Sequence, residues 1–575
     1  MTETYSKDIS IVIGGAAGQG VQTVEAALVR ILKDAGYGVF ACKEYMSRVR
    51  GGSNSVEIRV SSTSAIRSAY VRRIDFLFAM DRASLPHLAW RIDGHTVVFG
   101  EEEKMGRPAQ GRFVDTPLLR FADEAGGHPL YANAVALGVI FGLLGVERGI
   151  ADRYLRKAFA RKGEDVVGKN IVALGKGYEF GHHAAYMEDI EVPLVPREDR
   201  KDDLLLDGTT ALGIGAIAGG CDFISSYPMS PATGVLQFLA KEAKRFGIVV
   251  DQAEDEISAI NAGLGASYAG ARAMVTTSGG GFDLMQEGVS LSGMIETPIV
   301  IHIGQRPGPA TGLPTRTEQG DLNLALHAGH GEFVRAIYAP GTIREAIEVM
   351  QRAFETADRF QIPAFVLSDQ YFLDAMSPID MADVPRLPVT RHITETDAEY
   401  LRYRLTDDGL SPRGVPGHGT GTASVDSDEH DEGGHITESF EMREKMMTKR
   451  FSRLETMRKE AMMPSAYDNF DEAEIAVVSF GSTYGAVSEA IGRIGSRKLG
   501  GLHFAQVFPI NPDVKKFLRG KKVFVVENNH TGQFADLLVR ELGVKVHRRI
   551  LKSTGEPFSV EELMDELKSE LATNN

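Results

Sequence analysis

Cysteine is scarce in this chain: Cys42 and Cys221 are the only two among 575 residues. Two thiols exclude a disulfide framework, a four-cysteine zinc site and an iron–sulfur cluster ligated by this chain alone. They read as reduced thiols in a cytoplasmic protein. Positive charge is also short, with 63 Lys and Arg against 78 Asp and Glu and a net charge of −15. That balance argues against a general nucleic-acid binder, which carries a basic face. Any anion site must then be locally basic. No apolar run reaches the roughly 20 residues of a membrane span. The longest, 131–146, contains Asn133 and predicts a buried helix. The opening MTETYSKDIS has no basic segment followed by an apolar stretch, so no signal peptide is expected. The expectation is a soluble cytoplasmic protein that binds neither membrane nor nucleic acid.

Glycine, by contrast, is plentiful. Its 62 residues are about one in nine, above the usual roughly 7%, and suit the tight strand-to-helix turns of α/β proteins. The length predicts about three or four domains. Residues 1–195 open with a strand at 9–13, a glycine turn and a helix over about 20–35, whose apolar stripe is Val24, Ala27, Leu28, Ile31 and Leu32. A charged, proline-bearing stretch, 193–203, reads as a linker. Residues 204–380 alternate strands (273–277, 298–303) with helices, which predicts a parallel sheet. Residues 381–465 read as a linker, rich in Gly, Ser, His and Asp over 411–438, followed by one charged helix over 441–463. Residues 466–575 show a compact α/β alternation with strands at 473–479 and 522–527. The fold class expected is multidomain α/β.

Six clusters carry possible chemistry. IVIGGAAGQGVQT at 11–23 is a strand entering glycines and then a helix, where backbone amides can cradle a phosphate. The order of Gly15, Gly18 and Gly20 is not that of the dinucleotide fingerprint, and the phosphate-loop lysine is missing. A nicotinamide enzyme and an ATPase are disfavoured, and a plain tight turn stays open. Arg48 and Arg50, beside Gly51 and Gly52, form a basic patch that is either solvated surface or an anion contact. In SYPMSP at 226–231 two prolines fix the backbone around the Ser230 hydroxyl, or merely make a turn. Glu254, Asp255 and Glu256 precede a helix of small residues. They serve its dipole, or one of them turns inward and acquires a raised pKa. RPGPATGLPT at 306–315 holds one arginine among rigid residues, a positioned cation for a carboxylate or a surface loop. His418, His430 and His435, with Asp431 and Glu432, fit no common metal spacing and read as solvated linker.

Taken in order, GGAAGQG (14–20), RGGSN (50–54), SYPMSPAT (226–233), TTSGGGFDLMQEG (276–288), RPGPATGLPT (306–315), SPRGVPG (411–417) and VENNHTGQ (526–533) resemble one family. It is the α subunit of the 2-oxoacid:ferredoxin oxidoreductases, with a γ domain fused at the N-terminus, and within it the members that act on 2-oxoglutarate. The resemblance implies that 1–195 is the γ-type domain, 204–380 a thiamine diphosphate pyrimidine-binding domain and 466–575 a transketolase C-terminal-like domain. It implies that Glu256 hydrogen-bonds N1′ of the cofactor's aminopyrimidine. Arg306, with Thr315 and Ser230, would hold the substrate, and Gly15, Gly18, Gln19, Gly20, Arg48 and Arg50 would contact coenzyme A. Mg²⁺ and the [4Fe-4S] cluster would belong to a β subunit, in an (αβ)2 heterotetramer that reduces ferredoxin. The reaction implied is reversible conversion of 2-oxoglutarate and coenzyme A to succinyl-CoA and carbon dioxide. Pyruvate or another 2-oxoacid is the alternative substrate. A non-catalytic coenzyme A-binding or assembly module is the alternative of another class.

Overall fold

The computed structural model describes residues 3–4, 8–16, 21–44, 53–62 and 68–573. The chain divides into two compact units. One comprises 1–206 with 375–381 and 559–561, and the other 207–374, 382–558 and 562–575. Both are α/β, as the strand and helix patterns predict.

The first unit is built on an eight-stranded mixed sheet. Its central strand, Asp8–Ala16, runs parallel to Phe76–Ala79 and antiparallel to Ser53–Ser61. Ile9, Ile11 and Ile13 enter one core and Val12 enters another, so both faces of the strand are covered. The helix Val21–Asp34 buries Val24, Leu28, Ile31 and Leu32, the stripe read from the sequence. The apolar run becomes the helix Ala132–Leu144, which is buried all round. It packs on Glu164–Met187 backbone to backbone. A Cβ on Gly138 would stand 2.1 Å from the Leu174 carbonyl oxygen, and one on Gly177 2.1 Å from that of Val135. No single helix among the described residues is long and apolar enough to cross a membrane.

In the second unit, a seven-stranded sheet runs in the order Val249–Gln252, Phe223–Ser226, Ala273–Ser278, Ile299–Gln305, Pro363–Asp369, Ala336–Tyr338 and Gln506–Phe508. All its pairings are parallel except the last. Ile299, Ile301 and Ile303 point into a core shared with Val478, Phe480 and Phe504 of a five-stranded sheet formed by the C-terminal region. His302 points the other way, its Nδ1 2.7 Å from Thr276 Oγ1 and its Nε2 2.8 Å from Ser368 Oγ. Three neighbouring strands are thereby tied together. Burial lowers the His302 pKa to about 3, so the ring is neutral.

The expectation of a solvated linker over 411–438 holds for the exposed His418 and His435 and is corrected by the structure at both ends of the segment and at His430. The segment is irregular, yet buried charge pins it and its neighbours to the sheet domain. Arg413 reaches Asp358 at 3.2 Å and the Ser267 carbonyl at 2.7 Å. Gln361 donates to the Ser411 carbonyl at 2.6 Å. His430, fully buried, packs its ring 3.9 Å from that of Tyr403, tilted by 34°. Composition missed this because the apolar residues here are few while the cations that anchor the backbone are polar by any scale. The charged helix, Phe440–Glu460, turns Lys449 and Arg453 inward onto Glu296, at 2.9 and 2.5 Å. Burial pushes the Glu296 carboxyl up, but Arg453, Lys449 and Arg402 outweigh it and hold the group well below the usual carboxylate range. Its stabilising effect is present above the unfolded value near 4.5 and is lost as the pH falls. Glu296→Gln leaves two buried cations undercompensated and should cost about 3–5 kcal/mol. Chemical denaturation at neutral pH checks this, and a loss under 1 kcal/mol contradicts it.

Candidate active site

Four adjacent parallel strands deliver the candidate residues to one edge of the sheet. Val249–Gln252 leads to Glu256, Phe223–Ser226 to Ser230, Ala273–Ser278 to Gly279–Gly281, and Ile299–Gln305 to Arg306. The carboxyl ends of parallel strands are where open α/β sheets place their ligands.

Of the three consecutive acids, the structure selects one. Glu254 is exposed, and Asp255 caps the helix Glu256–Tyr268 through Oδ1, which accepts from Ser258 N–H at 2.7 Å. Glu256 turns inward and is 2% exposed. Its Oε1 is buried without a hydrogen-bond partner. Burial, with a smaller contribution from Asp255, raises its pKa. This is the inward-facing acid that the sequence left as one of two readings.

The turn Gly279–Gly281 explains how this carboxyl fits. A Cβ on Gly281 would lie 2.4 Å from Glu256 Oε1 and 2.2 Å from Thr277 Oγ1. A Cβ on Gly279 would lie 2.4 Å from both carboxyl oxygens of Asp321. The bare backbone is therefore held between two carboxyl groups. Thr277 Oγ1, Ser278 Oγ and Asp321 Oδ2 are, like Glu256 Oε1, buried with no hydrogen-bond partner. Four orphaned polar atoms around one turn mark a place built for a ligand that carries donors and acceptors.

Arg306 follows directly on its strand and donates from Nη1 to the Ser230 carbonyl at 2.7 Å. The structure thus joins Arg306 and Ser230, though through the serine backbone. Ser230 itself is exposed. Burial lowers the Arg306 pKa, while neighbouring Asp321 opposes the shift. The loop beyond doubles back on itself: Leu313 N–H reaches the Pro307 carbonyl at 3.0 Å. Gly312, at φ +52°, sits where any Cβ would strike that carbonyl. Thr315 is half-buried in the turn closed by Arg316 N–H on the Leu313 carbonyl. Farther on, VENNHTGQ clamps the loop. Asn528 N–H donates to Gln319 Oε1 at 2.9 Å, Gln319 N–H to the Asn528 carbonyl at 2.7 Å, and Gln533 Nε2 to the Gly320 carbonyl at 2.8 Å.

Asp321 was missed by sequence reasoning. It ends a loop whose proline and glycine drew attention to its start, and its only local signal is its place before a short apolar helix. Gly15 lies in the strand Asp8–Ala16, opposite Asn54. Gly18, Gln19, Gly20, Arg48 and Arg50 lie outside the described residues.

Comparison with known proteins gives the family of the chain. Residues 10–180 match the family described as pyruvate ferredoxin/flavodoxin oxidoreductase. Residues 214–449 match pyruvate flavodoxin/ferredoxin oxidoreductase, thiamine diphosphate-binding. The 2-oxoacid:ferredoxin oxidoreductase 2 subunit alpha of Aeropyrum pernix is 30% identical over 98% of this chain and 98% of its own. The chain belongs to the 2-oxoacid:ferredoxin oxidoreductases, as an α subunit. The family's 2-oxoglutarate oxidoreductase subunit KorA of Mycobacterium tuberculosis is 30% identical, covering 76% of this chain and 68% of that one. Among solved structures, the 2-oxoglutarate:ferredoxin oxidoreductase of Magnetococcus marinus with 2-oxoglutarate, coenzyme A and succinyl-CoA bound superposes with a TM-score of 0.90. It is 29% identical and covers 98% of this chain and 100% of its own.

The residues present fit the aminopyrimidine of thiamine diphosphate. An orphaned, buried carboxyl with a raised pKa can accept from a protonated ring nitrogen, and the hydroxyls beside it can serve an amino group. The steric prediction is direct. Gly281→Ala should displace the Glu256 side chain and lower turnover of the assembled enzyme at least tenfold. Turnover within twofold of the parent would show that the close approach is not functional.

Proposed function

We propose that this chain is the α subunit of a coenzyme A-dependent 2-oxoglutarate:ferredoxin oxidoreductase that works with a β subunit. The observation that carries the reading is Glu256 Oε1, buried and unpartnered at the carboxyl end of a parallel sheet. A coenzyme A-binding or assembly module has no use for such a group, because leaving it unmade costs about 1–3 kcal/mol. The choice of 2-oxoglutarate is supported by the KorA relative and by the ligands of the Magnetococcus structure. Pyruvate or another 2-oxoacid remains the second reading, favoured by the broader name of the Aeropyrum relative.

Bound thiamine diphosphate supplies the nucleophile and the electron sink for decarboxylation. This chain supplies proton control and position. Glu256 accepts from N1′ of the aminopyrimidine and shares its proton, a role suited to a carboxyl whose pKa burial raises. Arg306 keeps one donor on the Ser230 carbonyl and turns the rest of its fork to the substrate carboxylate. The Ser230 hydroxyl and Thr315 complete that subsite. Coenzyme A takes the acyl group, held by Gly15, Gly18, Gln19, Gly20, Arg48 and Arg50, whose guanidiniums complement its phosphates. Mg²⁺ and the [4Fe-4S] cluster belong to the β subunit in this reading, since two cysteines cannot ligate such a cluster. Ferredoxin receives the electrons, and the working unit is an (αβ)2 heterotetramer in which the reaction is reversible.

The test is a panel of 2-oxoacids with coenzyme A and ferredoxin, using the complex assembled with its β subunit. Preference for 2-oxoglutarate is expected, and a preference for pyruvate refutes that assignment. Glu256→Ala should lower kcat by about 10²–10⁴-fold, and near-normal dye reduction removes Glu256 from the chemistry. Arg306→Lys should raise KM for the 2-oxoacid about ten- to a hundredfold, as a two-pronged charged hydrogen bond is lost. An unchanged KM would make Arg306 structural.

A further inference from the structure

The C-terminal region holds a cavity of about 540 Å³, within the roughly 300–1,000 Å³ of small-molecule sites. It lies beside the starts of the strands Lys522–Glu527 and Val546–Leu551, whereas Glu527 and Asn528, which serve the arginine loop, stand at the other end of the first strand. The cavity is therefore separate from the reacting edge. Lys515, Lys516, Arg519, Lys521, Lys545 and His547 line it and no Asp or Glu does, in a chain whose net charge is −15.

Two of these cations are already engaged. Lys521 gives its ammonium to the carbonyls of Phe470, Asp471 and Ala473 at 2.7, 3.1 and 2.8 Å, and Lys516 pairs with Asp513 at 2.7 Å. Lys515, Arg519 and Lys545 form no ion pair among the described residues. They converge from different segments. The Lys515 ammonium lies 3.8 Å from the point that a Cβ on Gly543 would occupy, so it reaches across to the loop that carries Lys545. Lys515 lies in the last turn of the helix Val514–Leu518, whose dipole favours a cation. Arg519, past that helix, and Lys545, before a strand, have no such reason to be there. His547 adds a donor: its Nδ1 accepts from Val523 N–H at 3.0 Å, which leaves the proton of the neutral ring on Nε2. Burial first, then Lys545 and Lys522, lowers the pKa of this ring, as expected in a positive field. Like charges held together repel unless an anion joins them. Between the cations the lining is apolar, from Leu518, Val523 and Val544.

We propose that this cavity binds an organic phosphate of nucleotide size, its body on Leu518, Val523 and Val544 and its phosphates on Lys515, Arg519 and Lys545. The site is independent of the 2-oxoacid and of the carboxylate clamp, because its readout is binding and not turnover.

The experiment measures binding of ADP and of inorganic phosphate by calorimetry to the complete αβ complex, with thiamine diphosphate and coenzyme A saturating so that their own sites are filled. ADP should bind with a Kd of about 1 mM or tighter, and inorganic phosphate, which lacks a body for the apolar lining, at least tenfold more weakly. Lys515→Glu combined with Arg519→Glu should weaken ADP at least tenfold, as charged hydrogen bonds are lost, and leave turnover without nucleotide within twofold of the parent. No binding of ADP, or equal binding by parent and reversed variant, overturns the proposal. Inorganic phosphate binding as tightly as ADP refutes the organic ligand. A reversed variant that binds ADP normally but shows a raised KM for ferredoxin assigns the cations to an acidic protein surface, and the proposal falls. If the double variant does not assemble, Lys545→Gln alone decides, and an unchanged Kd is then fatal.

Discussion

A buried carboxyl oxygen without a donor is costly, and two such oxygens flank one glycine turn. Glu256 and Asp321 approach Gly281 and Gly279 so closely that no side chain could intervene. Both groups have raised pKa values, chiefly because burial removes water from them. Two other buried carboxylates of the same unit are answered by cations. Glu296 meets Lys449 and Arg453, and Asp358 meets Arg272 and Arg413. The contrast between answered and unanswered carboxyls separates groups that hold the fold from groups that await a ligand.

The scaffold earns its rigidity from layers that the site itself does not use. His302 links three strands one layer below the strand ends. Glu527 accepts from Phe534 N–H and Ala535 N–H, fixing the start of the helix that carries Gln533 onto the 320 loop. The arginine loop, which has little regular structure, is thus held from below and from the side. Its prolines and glycines set its path, and amide side chains of the C-terminal region keep it there. A clamp residue on such a loop can be as well placed as one on a strand.

Much of this was legible in the residues. The period of apolar positions predicts the helix Val21–Asp34 and the buried helix Ala132–Leu144, because one buries a stripe and the other its whole circumference. The central strands are apolar on both faces, which a parallel sheet requires. Two things were hidden. Irregular segments anchored by buried arginine, such as 386–439, look solvated because no periodicity marks a backbone held by long side chains from elsewhere. Asp321 is silent in sequence because its meaning depends on Gly279, some forty positions earlier. Pairings between distant loops leave no local pattern, whereas acids at a helix start at least pose the question that burial then answers for Glu256.

The strand Gln506–Phe508 pairs antiparallel with Ala336–Tyr338 and so completes the edge of the larger sheet with chain from the C-terminal region. Removing residues 466–575 would uncover a row of unpaired backbone amides and carbonyls and, with them, half of a shared apolar core. A shortened polypeptide would therefore present a sticky margin prone to self-association. The larger sheet and the C-terminal region thus hold together as one folding unit.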